Sequence, residues 1–249
     1  MHLFQTIMRI SLVTISLFFT ATSIAQRSPY YTGPPETHLQ NGPNKADAKN
    51  ILKDTLKEGK WIESIDDNGN VTKAKNAPYY RLTTYKDGVP IDTARYYFKD
   101  NKLAAEMPYT NGKKNGVGRL YYESGKLLKK IPFTDGLVIG IDSLFYESGK
   151  LEIAIPYTDG KKNGIGRLYY ESGKLKTETP YTNSLKEGVV KVYYENGNVS
   201  SEIPCSNDMR NGVEKDYYED GNLKKETTYK NDVMVGTEKN YGEKGNEIK

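Results

Sequence analysis

The chain has 249 residues and a formal net charge of +4, with 36% apolar residues but 21 Tyr and 23 Gly. So little aliphatic content argues against a thick, dry interior, and tyrosine rings with one wet end suit a thin, half-exposed sheet. The small, evenly spread surplus of positive charge lacks the basic stripe of a nucleic-acid binder, so no nucleic-acid partner is expected.

The first 25 residues differ from the rest. Arg9 precedes an apolar run through Leu12, Val13, Ile15, Leu17, Phe18 and Phe19, and Ser23-Ile24-Ala25 follows. This order is that of a secretory signal peptide cleaved between Ala25 and Gln26. The run is short for a span of about 20 apolar residues, so no stable membrane span is expected after cleavage. The expected location is therefore secreted, or periplasmic and cell-envelope, in a bacterium. Residues 26–57 are expected as a Pro-rich, polar linker ending in a short capping helix over Ala46–Lys57.

Residues 58–249 form an array. YYESGKL at Tyr121–Leu127 recurs at Tyr169–Leu175, with FYESGKL at Phe145, YYENGNV at Tyr193 and YYEDGNL at Tyr217. The glycines at 125, 149, 173, 197, 221 and 245 step by 24, as do those at 116, 140, 164, 188, 212 and 236 and the prolines at 108, 132, 156, 180 and 204. Three markers holding one period define a tandem repeat.

Each unit reads as a β-hairpin. Residues 165–171 form one strand, Ser172-Gly173 a two-residue turn with both residues at positive φ, and Lys174–Thr179 the return strand. Pro180 should mark a strand end or bulge before a wider turn closing near Gly188. This register sets Glu171 opposite Lys174, as a surface ion pair, and Tyr170 opposite Leu175. An opening hairpin is expected at Gly59–Asn70, giving about eight hairpins and roughly 16 strands. The fold class is all-β: an elongated single-layer antiparallel sheet of tandem 24-residue hairpins after a signal peptide and linker. The charged last strand, with Glu243 and Glu247, discourages edge pairing.

Two aromatic rows follow. Tyr122, Tyr146, Tyr170, Tyr194 and Tyr218 alternate with Leu or Val and are expected to pack. Tyr121, Phe145, Tyr169, Tyr193 and Tyr217 face mostly polar neighbours and are the candidate partner-binding residues.

No catalytic residue is expected. His38, the one His outside the leader, lies in the linker, and there is no Walker-type phosphate loop. Asp66-Asp67-Asn68-Gly69-Asn70 lacks the downstream Glu of a calcium loop, so neither metal nor cofactor is expected. Cys205, the sole cysteine, occupies a slot where sister repeats carry Tyr or Phe and is read as a small hydrophobe.

YYESGKL together with PYTDGKKNGIGRLYY resembles the bacterial MORN-variant repeat, the repeat of the YwqK-like antitoxin family, over about Gly59–Ile248. The resemblance implies a long antiparallel sheet used for contacts with partners and, through the antitoxin label, a cytoplasmic protein that neutralises a toxin. The signal peptide departs from that setting. The leading expectation is a secreted or cell-envelope scaffold, not an enzyme, that binds an unidentified protein or envelope partner. An antitoxin or immunity role, and glycan or peptidoglycan binding through the Tyr row, are the alternatives.

Overall fold

The computed structural model describes Lys45 and residues 47–248. The expected signal peptide, its cleavage site at Ala25 and Gln26, and the linker as far as residue 44 lie outside these residues. Among the described residues there is no helix, and 23 strands pair antiparallel as hairpins. The helix expected over Ala46–Lys57 is not formed. Ile51–Lys53 and Leu56–Ile65 are strands, joined through Asp54 and Thr55 at positive φ. Pairing along Leu56–Ile65 overrides a short, weak helical propensity.

The chain divides into two compact units, one running to Lys126 and including Thr134–Gly136, the other made of Leu127–Phe133 and Leu137 onward. The first unit has the thicker core. Trp61–Ile65 are buried at five consecutive positions, so both faces of that strand are covered. Ala48, Tyr80, Leu82 and Tyr97 pack around Ile62 on one face. On the other, Trp61 meets Tyr85 edge-on at 6.4 Å, and Arg81 and Lys57 both pair with Glu63. The strand's free edge is closed by Asn50. Its side-chain amide donates to the Ile62 carbonyl at 3.0 Å and accepts from the Ile62 N–H at 2.8 Å, as a neighbouring strand would. The opening hairpin is also shorter than expected: after the Asp66–Asn70 turn only Val71 bridges back to Ile65, and the long partner is Tyr79–Lys86.

The second unit repeats one plan, illustrated by residues 164–188. Gly164–Tyr169 pairs with Leu175–Thr182. The loop between them is not the expected two-residue turn. Tyr170 and Lys174 close it, with the Tyr170 N–H bonded to the Lys174 carbonyl and the Gly173 N–H to the Tyr170 carbonyl, each at 2.8 Å. Only Gly173 has positive φ. This is the three-residue hairpin loop, a type I turn with a glycine bulge. Tyr169, not Tyr170, therefore stands opposite Leu175. Glu171 lies exposed in the loop rather than opposite Lys174.

The tight two-residue turn is the other one. Thr182 pairs with Leu185, and Asn183 and Ser184 have φ of 52° and 74°, as a type I′ turn requires. The strand runs straight through Pro180 to reach it. Proline's missing donor is absorbed by a bulge at Glu187, whose N–H bonds to the Pro180 carbonyl at 3.1 Å. Gly188, at φ 116°, then passes so close to Pro180 that an added Cβ would lie 3.1 Å from its ring. This bulge splits each long strand into two short ones, which is why there are 23 strands and not roughly 16.

Candidate functional site

Residues directly opposite in antiparallel strands share a face, and alternate residues along a strand share it too. Both rules define the candidate surface in the second unit. Its middle row is Arg167, Glu178, Lys191, Glu202, Lys215, Glu226 and Lys239, each opposite the next. The charges alternate along the whole row. Arg167 lies 3.1 Å from Glu178, Lys191 3.6 Å from Glu202, and Lys215 3.8 Å from Glu226. The ion pair that recurs from repeat to repeat is here, not at the loop glutamates, where the sequence pattern had suggested it.

Two residues toward the loop stands the expected aromatic row: Phe145, Tyr169, Tyr193 and Tyr217 in this unit, and Tyr121 in the first. All five are half-buried. Their hydroxyls are largely committed. Tyr193 donates to Glu178 at 3.1 Å, Tyr217 to Glu202 at 3.0 Å, and Tyr121 to Glu106 at 3.1 Å. Phe145, which has no hydroxyl, stands over Lys130 instead, with the ammonium 5.7 Å from the ring centre. The residue at the corresponding place beside Tyr169 is Ala154, and the Tyr169 hydroxyl has no partner among the described residues. Burial, reinforced by the Glu202 bond, pushes the Tyr217 phenol up to about 12. Burial and the Glu178 and Glu106 bonds likewise raise those of Tyr193 and Tyr121. These phenols are donors near neutral pH and not bases.

Two residues the other way stands a row that sequence reasoning missed. Ile141, Ile165, Val189 and Val213 are 57%, 44%, 43% and 41% exposed. The first three lie opposite Pro156, Pro180 and Pro204. Their 24-residue step was visible, but only the register places them on the Tyr193 face. One face thus carries exposed aliphatics, a ladder of alternating charges and half-buried aromatics in parallel.

The other expected features are structural. Tyr146, Tyr170, Tyr194 and Tyr218 are half-buried and bond across repeats. Cys205 is buried as a free thiol, and burial raises its pKa. The Asp66 carboxylate accepts the Asn68 and Asn70 N–H groups at 2.9 and 2.8 Å and so organises its own turn. Among the described residues, no group of three or more His, Cys, Asp or Glu side chains is placed to hold a metal ion.

This architecture defines a class, the β-hairpin repeat protein. The family model described as the MORN repeat variant matches residues 114–135, 162–183, 186–207 and 210–231. Each match begins just after one type I′ turn, spans the hairpin loop and ends on the first residue of the next type I′ turn. The intervening stretch lacks a match yet keeps the same pairing, with Gly140–Phe145 against Leu151–Thr158. No curated protein matches the chain.

Proposed function

We propose that the chain is an exported scaffold, secreted or held in the cell envelope, that docks a protein partner on the ladder face of its second unit. The observation that carries this reading is the coincidence of three rows on one face. Exposed aliphatics at Ile141, Ile165, Val189 and Val213 offer apolar area to a partner. The ladder beside them alternates in sign and pairs Arg167, Lys191 and Lys215 with glutamates, so it sets register while carrying little net charge. The aromatics at Phe145, Tyr169, Tyr193 and Tyr217 supply large, stiff contact surfaces. Export rests on residues 1–25, and the scaffold reading assigns the chain no catalysis.

The test is cross-linking and affinity recovery of the partner from cell-envelope and medium fractions. Recovery should fall with Ile165→Glu/Val189→Glu and with Tyr169→Ser/Tyr193→Ser while the circular dichroism spectrum is kept. Undiminished recovery by the folded variants would rule this face out, and a chain confined to the cytoplasm would rule out export.

A second reading, neutralisation of a toxin, rests on the resemblance of YYESGKL and PYTDGKKNGIGRLYY to the repeat of YwqK-like antitoxins. Co-expression with a toxin encoded beside this chain should then restore growth. Rescue that persists after residues 1–25 are deleted would place that action in the cytoplasm.

A further inference from the structure

The opposite face of the second unit holds a groove where the repeat varies: Ser200 stands between Lys176 and Lys224 of the flanking repeats, and Asp216 takes a place where the preceding repeats carry Leu or Val. There Ser201, Asp216 and Lys225 stand opposite one another in successive strands. The Ser201 hydroxyl donates to Asp216 at 2.7 Å, and the Lys225 ammonium lies 3.3 Å from the same carboxylate. The second tyrosine of each repeat also belongs to this surface. Its hydroxyl donates to a carbonyl of the next repeat, as Tyr194 does to Tyr217 at 2.7 Å.

In two repeats a lysine covers the tyrosine ring. Lys176 places its ammonium 5.2 Å from the centre of Tyr170, and Lys224 lies 5.5 Å from that of Tyr218. The same position beside Tyr194 is Ser200, whose side chain is too short to do this. A groove of about 330 Å³ opens there, lined by Tyr194, Ser200, Ser201, Asp216, Tyr217, Lys224 and Lys225. That volume lies at the small end of the roughly 300–1,000 Å³ of small-molecule sites.

The chemistry of the lining selects the ligand. An ammonium would copy what the sister rings hold. Here, however, it would stand roughly 9.6 Å, or two strand spacings, from the lysine positions on either side, about one Debye length. It would also meet Lys225, and the one carboxylate present is already held by Ser201 and Lys225. A bare inorganic anion would suit the lysines but leave the ring unused, since the negative face of an aromatic ring repels it. A pyranose ring carrying a carboxylate uses the whole site. Its C–H face lies on Tyr194, its hydroxyls reach Ser200 and Asp216, and its acid group meets Lys224.

We propose that the Tyr194 groove binds an acidic saccharide, one sugar ring stacked in the place that Lys176 and Lys224 fill in the neighbouring repeats. The groove shares Tyr217 with the aromatic row of the docking face but takes its ring, hydroxyl and charge from Tyr194, Ser200 and Lys224, and the variants that test it leave Tyr169, Tyr193, Ile165 and Val189 unchanged.

The test is calorimetric titration of the full chain with an oligogalacturonate, beside an uncharged oligosaccharide of equal length. Saturable binding of the acidic probe is expected, at least about tenfold tighter than the neutral one. Ser200→Lys installs the residue that the two flanking repeats carry at 176 and 224, so it should fold normally, cover Tyr194 and weaken binding at least about tenfold. Because it adds positive charge, unchanged or tighter binding by Ser200→Lys would show bulk electrostatic attraction and overturn the site. Lys224→Gln supplies a second arm: weakened acidic binding supports the site and unaltered binding overturns it. No saturable binding by the unmodified chain, or equal affinity for both probes, would also overturn it.

Discussion

The hydroxyl of Tyr170 donates to the backbone carbonyl of Tyr193 at 2.7 Å, tying each repeat to its successor. The same bond joins Tyr146 to Tyr169, Tyr194 to Tyr217 and Tyr218 to Tyr241. At the next step Gly242 replaces the tyrosine, so this bond is not made there. These bonds couple neighbouring repeats, and coupling of that kind sets the cooperativity of a repeat array. Tyr170→Phe keeps the ring and removes only the donor. It should cost about 1 kcal/mol, the net worth of one hydrogen bond. Denaturant unfolding should show the loss. Amide exchange should quicken first near Tyr193, because its carbonyl loses the partner.

The type I′ turns carry a second coupling. The Asp208 N–H donates to the Lys186 carbonyl at 3.2 Å, and its carboxylate accepts the Lys186 N–H at 2.8 Å. Asp208 sits at φ 67°, where an L-residue is strained unless its side chain finds a local bond. Ser184 and Asp232 bond to Lys162 and Arg210 in the same way. Glycine at this place, as at Gly160, keeps only the backbone bond. Asp208→Gly should therefore lose one hydrogen bond but relieve the strain. Asp208→Ala should lose the bond and keep the strain, at about 1–2 kcal/mol more. Thermal unfolding should rank Asp above Gly above Ala, and an Ala variant as stable as Gly would refute the strain argument.

The period, the two-turn plan and the polar-edged sheet were legible because they depend on spacing within one repeat. The turn types were not. Ser172-Gly173 looks like the tighter turn, yet Ser172 keeps an ordinary φ and the tight turn falls on Asn183-Ser184. That choice slides the pairing by one residue, and a slip of one changes which side chains meet. The aromatic row at Tyr193 was legible as a face, but its acceptor Glu178 was not, because that contact depends on how adjacent hairpins align. The ladder and the row at Ile165 and Val189 were hidden for the same reason. Ser200 shows the converse. It reads as an ordinary substitution until the lysines at 176 and 224 are seen lying over their rings.

The first unit departs furthest from the repeat, and its buried Glu63 yields an acid-stability prediction. Burial alone would raise the pKa of this carboxyl. Arg81, 2.6 Å away, and Lys57 outweigh burial and lower it from 4.5 to about 2. Above pH 4.5 the group is ionised in both folded and unfolded chains, and its full contribution is present. As the pH falls below 4.5, the unfolded chain takes up a proton that the folded chain refuses. Stability is lost progressively until about pH 2, where the folded carboxyl also titrates. The shift corresponds to a contribution on the order of 3 kcal/mol at neutral pH. Trp61, the sole tryptophan and only 1% exposed, lies in the same unit and reports its unfolding by fluorescence. Glu63→Gln should flatten the acid limb between pH 4.5 and 2. It should also lower stability at pH 7, by about 3–5 kcal/mol, because Arg81 and Lys57 lose the charge that pairs them. An unaltered acid limb in the Gln variant would assign the acid sensitivity to other carboxylates. An unaltered stability at pH 7 would mean that the two cations find water when Glu63 is gone, and that the pair contributes little to holding Leu56–Ile65 against Tyr79–Lys86.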